Sequence, residues 1–394
     1  MWLRADFYRF DGRGTRSGVV PKPPTPRGDA PVVDSRQERK YIGTMLNLAP
    51  LATTGIGSVP YQDPQETVAL ILKHLPEMPF WPQFVRLGFR EEMVAQGAGG
   101  LPGLKVDLEA SQVVLDPEAS REIALAQFYE MVWGGELEAF ALSPEEAQGF
   151  HTLMEQTQAR TDGPLALKGQ VVGPVTFAGM VKDKEGKPIL YDRELTQAVS
   201  QGLARKAAWQ AEQFRRAGRE AVVFFDEPIL TGFGSAFLPI SREEVSTLLT
   251  ETIEAAKEPG PVTVGVHCCG NTDWALLLET PLDIISFDSY GFFDHFLLYD
   301  QALTAFFRRG GMVAWGLVPT GEELARETEE SLWQRFTSQV ERLSGLGWEV
   351  REVLQHSLLT PACGLGYLSP EEATRGLKLL DGLGRRARQW LASQ

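Results

Sequence analysis

His267 and Cys269 lie two positions apart in the run Val264-Gly265-Val266-His267-Cys268-Cys269-Gly270. The run reads as a buried strand leading into a loop. Strand side chains alternate faces, so His267 and Cys269 share a face and Cys268 takes the other. Imidazole nitrogen and thiolate sulfur are zinc donors, and a catalytic zinc usually has three protein ligands and an open position. The chain holds 3 cysteines, and the last, Cys363 in Thr360-Pro361-Ala362-Cys363-Gly364-Leu365-Gly366, completes a His267, Cys269, Cys363 set. A thiol entering the open position is held as thiolate at neutral pH, which makes it a nucleophile toward an electrophilic methyl group. Asp288 is expected either as an oxygen ligand that the thiol displaces or as a partner orienting His267.

Residues so far apart in sequence must be brought together by the fold. From residue 46 the chain alternates short apolar runs with helical patterns, the signature of a parallel sheet with crossover helices. Eight strands are expected, near residues 49–56, 83–87, 165–171, 220–225, 262–268, 283–287, 312–317 and 354–359. Polar residues follow these runs at their C-terminal ends: Ile56-Gly57-Ser58, Asp226-Glu227-Pro228, His267 with Cys269, Asp288 and Cys363. In a parallel barrel those ends open onto one face, where active sites of that fold lie. The expectation is therefore an α/β protein, a single (β/α)8 TIM barrel over residues 45–394, with an irregular insertion near 97–117 forming a hairpin over the barrel mouth. Ser143-Pro144-Glu145-Glu146, Ser241-Arg242-Glu243-Glu244 and Ser369-Pro370-Glu371-Glu372 each predict a capped helix start. Residues 197–217 and 322–343 read as further helices, and His356, on the last strand within reach of the interior, is expected as an ordinary surface or packing residue. Glu227 is expected to face away from Asp226 and brace the barrel.

Composition narrows the function class. The chain has 394 residues, 43% hydrophobic and 23% charged, with net charge -14. That is an ordinary globular composition, and without a basic patch it excludes a nucleic-acid binder. No apolar run approaches the roughly 18 residues of a membrane span, and the N-terminus lacks the apolar stretch of a secretory signal. An odd, small number of cysteines excludes a disulfide framework and points to a reducing compartment, so the expected location is cytoplasmic. Residues 1–44 carry about +4 against -18 in the rest. Rich in Pro, Gly and Arg, they are expected to form a disordered arm, with Met45 as an alternative start.

Five segments, in order, resemble the catalytic barrel of cobalamin-independent methionine synthase, in the superfamily that also holds uroporphyrinogen decarboxylase and the zinc-dependent coenzyme M methyltransferases. They are Thr53-Thr54-Gly55-Ile56-Gly57-Ser58, Gly173-Pro174-Val175-Thr176, Phe225-Asp226-Glu227-Pro228, His267-Cys268-Cys269 and Pro361-Ala362-Cys363-Gly364-Leu365. The resemblance implies that His267, Cys269 and Cys363 ligate zinc, with Asp288 where the family has a glutamate ligand. It also implies that Asp226 holds the amino group of an amino-acid thiol, homocysteine, while Ile56, Gly57 and Ser58 contact its carboxylate. Its implied reaction yields methionine. The family's full-length members carry a second, N-terminal barrel that helps bind folate, whereas this sequence has 44 residues there. Both a methylcorrinoid protein and methyltetrahydrofolate therefore stand as expected methyl donors. The acid the family places after the second strand to help hold the amine is not evident, since Leu87-Gly88-Phe89-Arg90-Glu91-Glu92 aligns only loosely and does not choose between Glu91 and Glu92, and the run Trp315-Gly316-Leu317-Val318 lacks the histidine the synthases use as an acid. Two alternatives remain: a metal-free lyase resembling uroporphyrinogen decarboxylase, and a non-catalytic barrel that binds a corrinoid protein or an amino acid.

Overall fold

The computed structural model describes residues 49–158 and 163–394. The arm expected over residues 1–44 and the alternative start at Met45 lie outside the described residues. What is described is an α/β fold built on a curled parallel sheet of six strands. We number the strands β1 Leu104–Asp107, β2 Gln112–Leu115, β3 Ala166–Val172, β4 Glu220–Asp226, β5 Thr263–Cys268, β6 Ile284–Phe287, β7 Met312–Val318 and β8 Ser357–Pro361. The main sheet runs β3-β4-β5-β6-β7-β8 in sequence order, with every pair parallel. β1 and β2 form a separate antiparallel hairpin. It occupies the expected insertion, packs on the helix Met93–Ala98 and bridges to Lys182.

The expected eight-stranded sheet is corrected to six. The runs 49–56 and 83–87 are not strands. Extended segments lie between the free edges of β8 and β3, joined by the single parallel bridges Thr53↔Leu359, Ser58↔Gln83 and Phe80↔Lys168 and by the bonds of the Leu51 amide to the Ser357 carbonyl and the Ala166 amide to the Glu77 carbonyl. The second run was also misplaced: its bridging residues are Phe80 and Gln83, while Leu87 turns back to donate to the Phe84 carbonyl. The local sequence explains the missing ladders. Pro79 and Pro82 have no amide donor, and Gly55 and Gly57 weaken a strand between them. Gly55 is required by packing, since a Cβ there would lie 2.2 Å from the Phe80 ring.

Alternation along the strands produces two cores. Ala52, Met78, Ala166, Val222, Phe224, Ile284, Met312, Ala314 and Leu358 form an inner cluster on the concave face of the sheet. The residues of opposite parity, among them Val223, Phe225, Val264, Val266, Ile285, Phe287 and Trp315, join the larger cluster under the surrounding helices. Each such side chain, fully buried, stabilises the fold by about 1.5–3 kcal/mol.

Two of the three capping motifs start helices as expected, Ser241 at Arg242–Lys257 and Ser369 at Pro370–Ser393. The third does not. Ser143 and Glu146 bond to each other within a turn, and the helix begins only at Gln148, whose amide donates to Glu91 Oε1 at 3.0 Å. The helix expected over 197–217 runs Arg193–Arg216, and 322–343 splits into a 3-10 turn and the helix Glu329–Ser344. His356 follows the helix Val350–Gln355 rather than lying on β8, and its Nδ1 bonds to the Glu352 carbonyl at 2.9 Å. It therefore does not reach the interior. Among the described residues no helix is long and apolar enough to cross a membrane.

Candidate metal centre

The C-terminal ends of β4, β5, β6 and β8 bring the chemistry together. Asp226 is the register partner of His267, and His267 that of Ser286. His267 is buried on the concave face, with Nδ1 3.0 Å from Ser286 Oγ. Its other nitrogen, Nε2, is buried and has no hydrogen-bond partner among the described residues. Cys269 follows β5 on the same face, and Cys363 arrives on the loop after β8. One ligand atom from each of His267, Cys269 and Cys363 lies within 4.8 Å of the other two. Cys269 beside it, together with burial, raises the Cys363 thiol well above the usual thiol range, while His267 works the other way. An imidazole nitrogen without a partner, facing two converging sulfurs, is a donor set that fits zinc.

Cys268, excluded above by alternation, points into the helix-side core. It is fully buried, its Sγ contacts the Gly270 carbonyl at 3.6 Å, and burial pushes its thiol to about 12. Asp288 is not part of the three-residue cluster. It caps the helix Ser289–Phe296, accepting from the Gly291 amide at 2.8 Å. Burial pushes its carboxyl up to about 6, opposed by the Gly291 amide and by His267. The group that touches the back of His267 is Ser286, which sequence reasoning missed. Its signal was the serine interrupting Ile284-Ile285-Ser286-Phe287, one strand from the histidine.

Asp226 ends β4 on the concave face. Its Oδ1 is buried without a partner, and burial raises its carboxyl, opposed by Lys168 and His267. Glu227 takes the opposite direction. Its Oε1 accepts from the Val175 amide at 2.9 Å, and its Oε2 accepts from the Thr176 amide at 2.7 Å and the Thr176 hydroxyl at 2.6 Å. It thus braces the Gly173-Pro174-Val175-Thr176 turn. Gly173 is needed for that approach, because a Cβ there would meet Glu227 at 2.2 Å.

Ile56 and Gly57 lead into Ser58, which lies against the loop of the third cysteine. The Ser58 carbonyl accepts from the Leu365 amide at 2.8 Å, and its hydroxyl accepts from Gly366 at 3.4 Å. Glu91 proves to be a brace. It is buried and accepts from the amides of Gln148 at 3.0 Å and Phe84 at 3.3 Å. Burial nonetheless pushes its carboxyl up to about 7. Two further interior hydroxyls, Thr54 Oγ1 and Thr360 Oγ1, are buried and lack partners. Lys168 is the other residue the sequence reading missed, although a lysine inside the buried run 165–171 was a visible signal.

Comparisons with known proteins add a likeness of architecture. No protein-family model matches the sequence, and no curated protein matches it. Among solved structures, the chain is similar to a B12-independent methionine synthase from Shewanella sp. W3-18-1, solved in complex with selenomethionine. The TM-score is 0.57 at 17% identity, covering 88% of this chain and 100% of that one. It is also similar to a Listeria monocytogenes protein provisionally assigned as a vitamin-B12 independent methionine synthase, with TM-score 0.53 and 14% identity over 86% of this chain and 98% of that one. The likeness is one of fold. At these identities it carries no residue roles across.

Proposed function

We propose that residues 45–394 form a (β/α)8 barrel of the methionine synthase type, with two staves reduced to bridged segments, and that it is a zinc-dependent S-methyltransferase. The observation that carries this reading is the convergence of His267, Cys269 and Cys363, with His267 Nε2 buried and unpartnered. Zinc held by these three residues would act as a Lewis acid that keeps a substrate thiol ionised at neutral pH. Ser286 fixes the His267 ring by its bond to Nδ1. Asp226, with a free buried oxygen on the same face, accepts the ammonium of an amino-acid thiol, and Ile56, Gly57 and Ser58 receive its carboxylate. Asp288 serves as the helix cap beside the site and stands as a further oxygen ligand only when substrate is absent. The substrate of this reading is homocysteine. Its sulfur forms the new S–CH3 bond while the donor's Co–CH3 or N–CH3 bond breaks, the bonding pair leaving with the corrinoid or the folate, to give methionine. Free thiols at the site suit a reducing, cytoplasmic setting.

The lyase alternative is less well supported. A substrate with several carboxylates needs several cations, and the concave face of β3–β8 presents Lys168 as its lone lysine or arginine among the described residues.

The deciding experiment incubates zinc-loaded protein with homocysteine and either a methylcorrinoid or methyltetrahydrofolate, and measures methionine. Methionine from one donor, lost on Cys363→Ser together with zinc, is the expected result. A purified chain that holds far less than one zinc and cannot be reloaded would sink the proposal. Binding of a corrinoid protein or amino acid with no turnover would favour the non-catalytic reading.

A further inference from the structure

Lys168 has no task in the reading above. It is fully buried in β3. Its Nζ donates to the Ile56 carbonyl and to Gln170 Oε1 at 3.1 Å, and lies 4.9 Å from the centroid of the Phe224 ring. Among the described residues no carboxylate pairs with it directly. Burial lowers its ammonium to about 8, with Asp226 acting in the opposite sense from a distance. A buried ammonium without a paired anion is costly, whereas an apolar side chain of similar length fills the same space without that cost.

What the ammonium holds shows its use. Ile56 lies between Gly55 and Gly57, in a segment whose bridges to its neighbours fall on either side of it, at Thr53↔Leu359 and Ser58↔Gln83. Between those bridges Lys168 grips the Ile56 carbonyl. Two residues on, Ser58 bonds the loop that carries Cys363 through Leu365 and Gly366. We propose that Lys168 is a positioning residue: its ammonium pins the Ile56 carbonyl and so sets the Ile56-Gly57-Ser58 backbone in the conformation that receives the carboxylate end of the thiol substrate. The substrate half of this statement rests on the proposed function; the pin itself does not.

Two arms test it on the zinc-loaded full chain, comparing wild type with Lys168→Met and, in parallel, Lys168→Leu. In the first arm, hydrogen exchange is read at Thr54 and Val59, whose amides bond to the carbonyls of Leu359 and Gln83. The pin predicts exchange there faster by about tenfold, the scale of a lost charged hydrogen bond, with β4–β7 amides unchanged. In the second arm, KM for homocysteine rises about tenfold while kcat and zinc content hold, because ground-state and transition-state binding are lost together. Unaltered exchange at Thr54 and Val59 in both variants overturns the pin, whatever the activity. Faster exchange accompanied by zinc loss and a fallen kcat overturns the substrate role and places the effect on the Cys363 loop. If wild type turns over no homocysteine with any donor, the methyltransferase reading and the substrate role fail together, and the exchange arm still decides the pin.

Discussion

Two faces of the same strand ends behave differently. On the helix side, Glu227 has both oxygens occupied by the Val175 amide and by the Thr176 amide and hydroxyl, and Cys268 is sealed in apolar packing. On the concave side, one residue away in each case, Asp226 Oδ1 and His267 Nε2 are buried with no partner. Buried polar atoms in folded proteins nearly always have partners. A satisfied carboxylate such as Glu227 is therefore part of the construction, whereas an unsatisfied one such as Asp226 is what the proposed substrate role requires. Neighbours in sequence thus have opposite roles because a strand turns alternate residues to opposite faces.

The comparison can be broken most directly by removing both inner sulfurs. Cys269→Ser with Cys363→Ser should abolish stoichiometric zinc binding, read by metal analysis after dialysis, because hydroxyls are poor substitutes for thiolates at zinc. Retained zinc would separate the metal from this face. On the outer face, Glu227→Ala should cost about 3 kcal/mol in chemical denaturation, since it strands buried donors at Val175 and Thr176, and should leave zinc content unchanged.

Glu91 extends the outer class, because it too is buried against backbone amides. Its carboxyl is raised from an ordinary 4.5 to about 7. The stability it contributes is therefore complete below about pH 4.5 and is lost as pH rises from there through 7, on the order of 3 kcal/mol in all. Glu91→Gln, which does not titrate, should flatten the fall in denaturation midpoint between about pH 4.5 and 7, and an equal fall in both proteins would contradict this. A smaller effect is expected at the join between the faces. Ser286→Ala removes the hydroxyl behind His267 and should weaken zinc about tenfold in a competition titration. The smallest change belongs to Cys268→Ala, which should leave zinc affinity as it is and cost about 1 kcal/mol of stability through the void it leaves. Weaker zinc in that variant would undo the assignment of faces.

Much of the site was legible because it depends on local rules. Period-two alternation separated Cys268 from His267 and Cys269, and the apolar runs located β3 to β7 to within one or two residues. Serine and glutamate three apart marked two helix starts. The failures share a cause. Ser143 has the same pattern, yet the next helix takes its cap from Glu91, a residue 57 positions away from Gln148 in sequence. The runs 49–56 and 83–87 were apolar enough for strands, but proline and the close approach of Phe80 to Gly55 left them only isolated bridges.

The sequence by itself determined the donor types, their shared face on β5 and the parallel α/β class, because composition and alternation are properties of neighbouring residues. Only the tertiary structure decided that Cys363 meets His267 and Cys269 within 4.8 Å, that Asp288 caps a helix and that Ser286 supports the histidine. It also decided that Lys168 reaches back to Ile56, 112 positions away in sequence. Those facts depend on the register between strands and on the path of the loops, which long-range packing sets and no local pattern encodes.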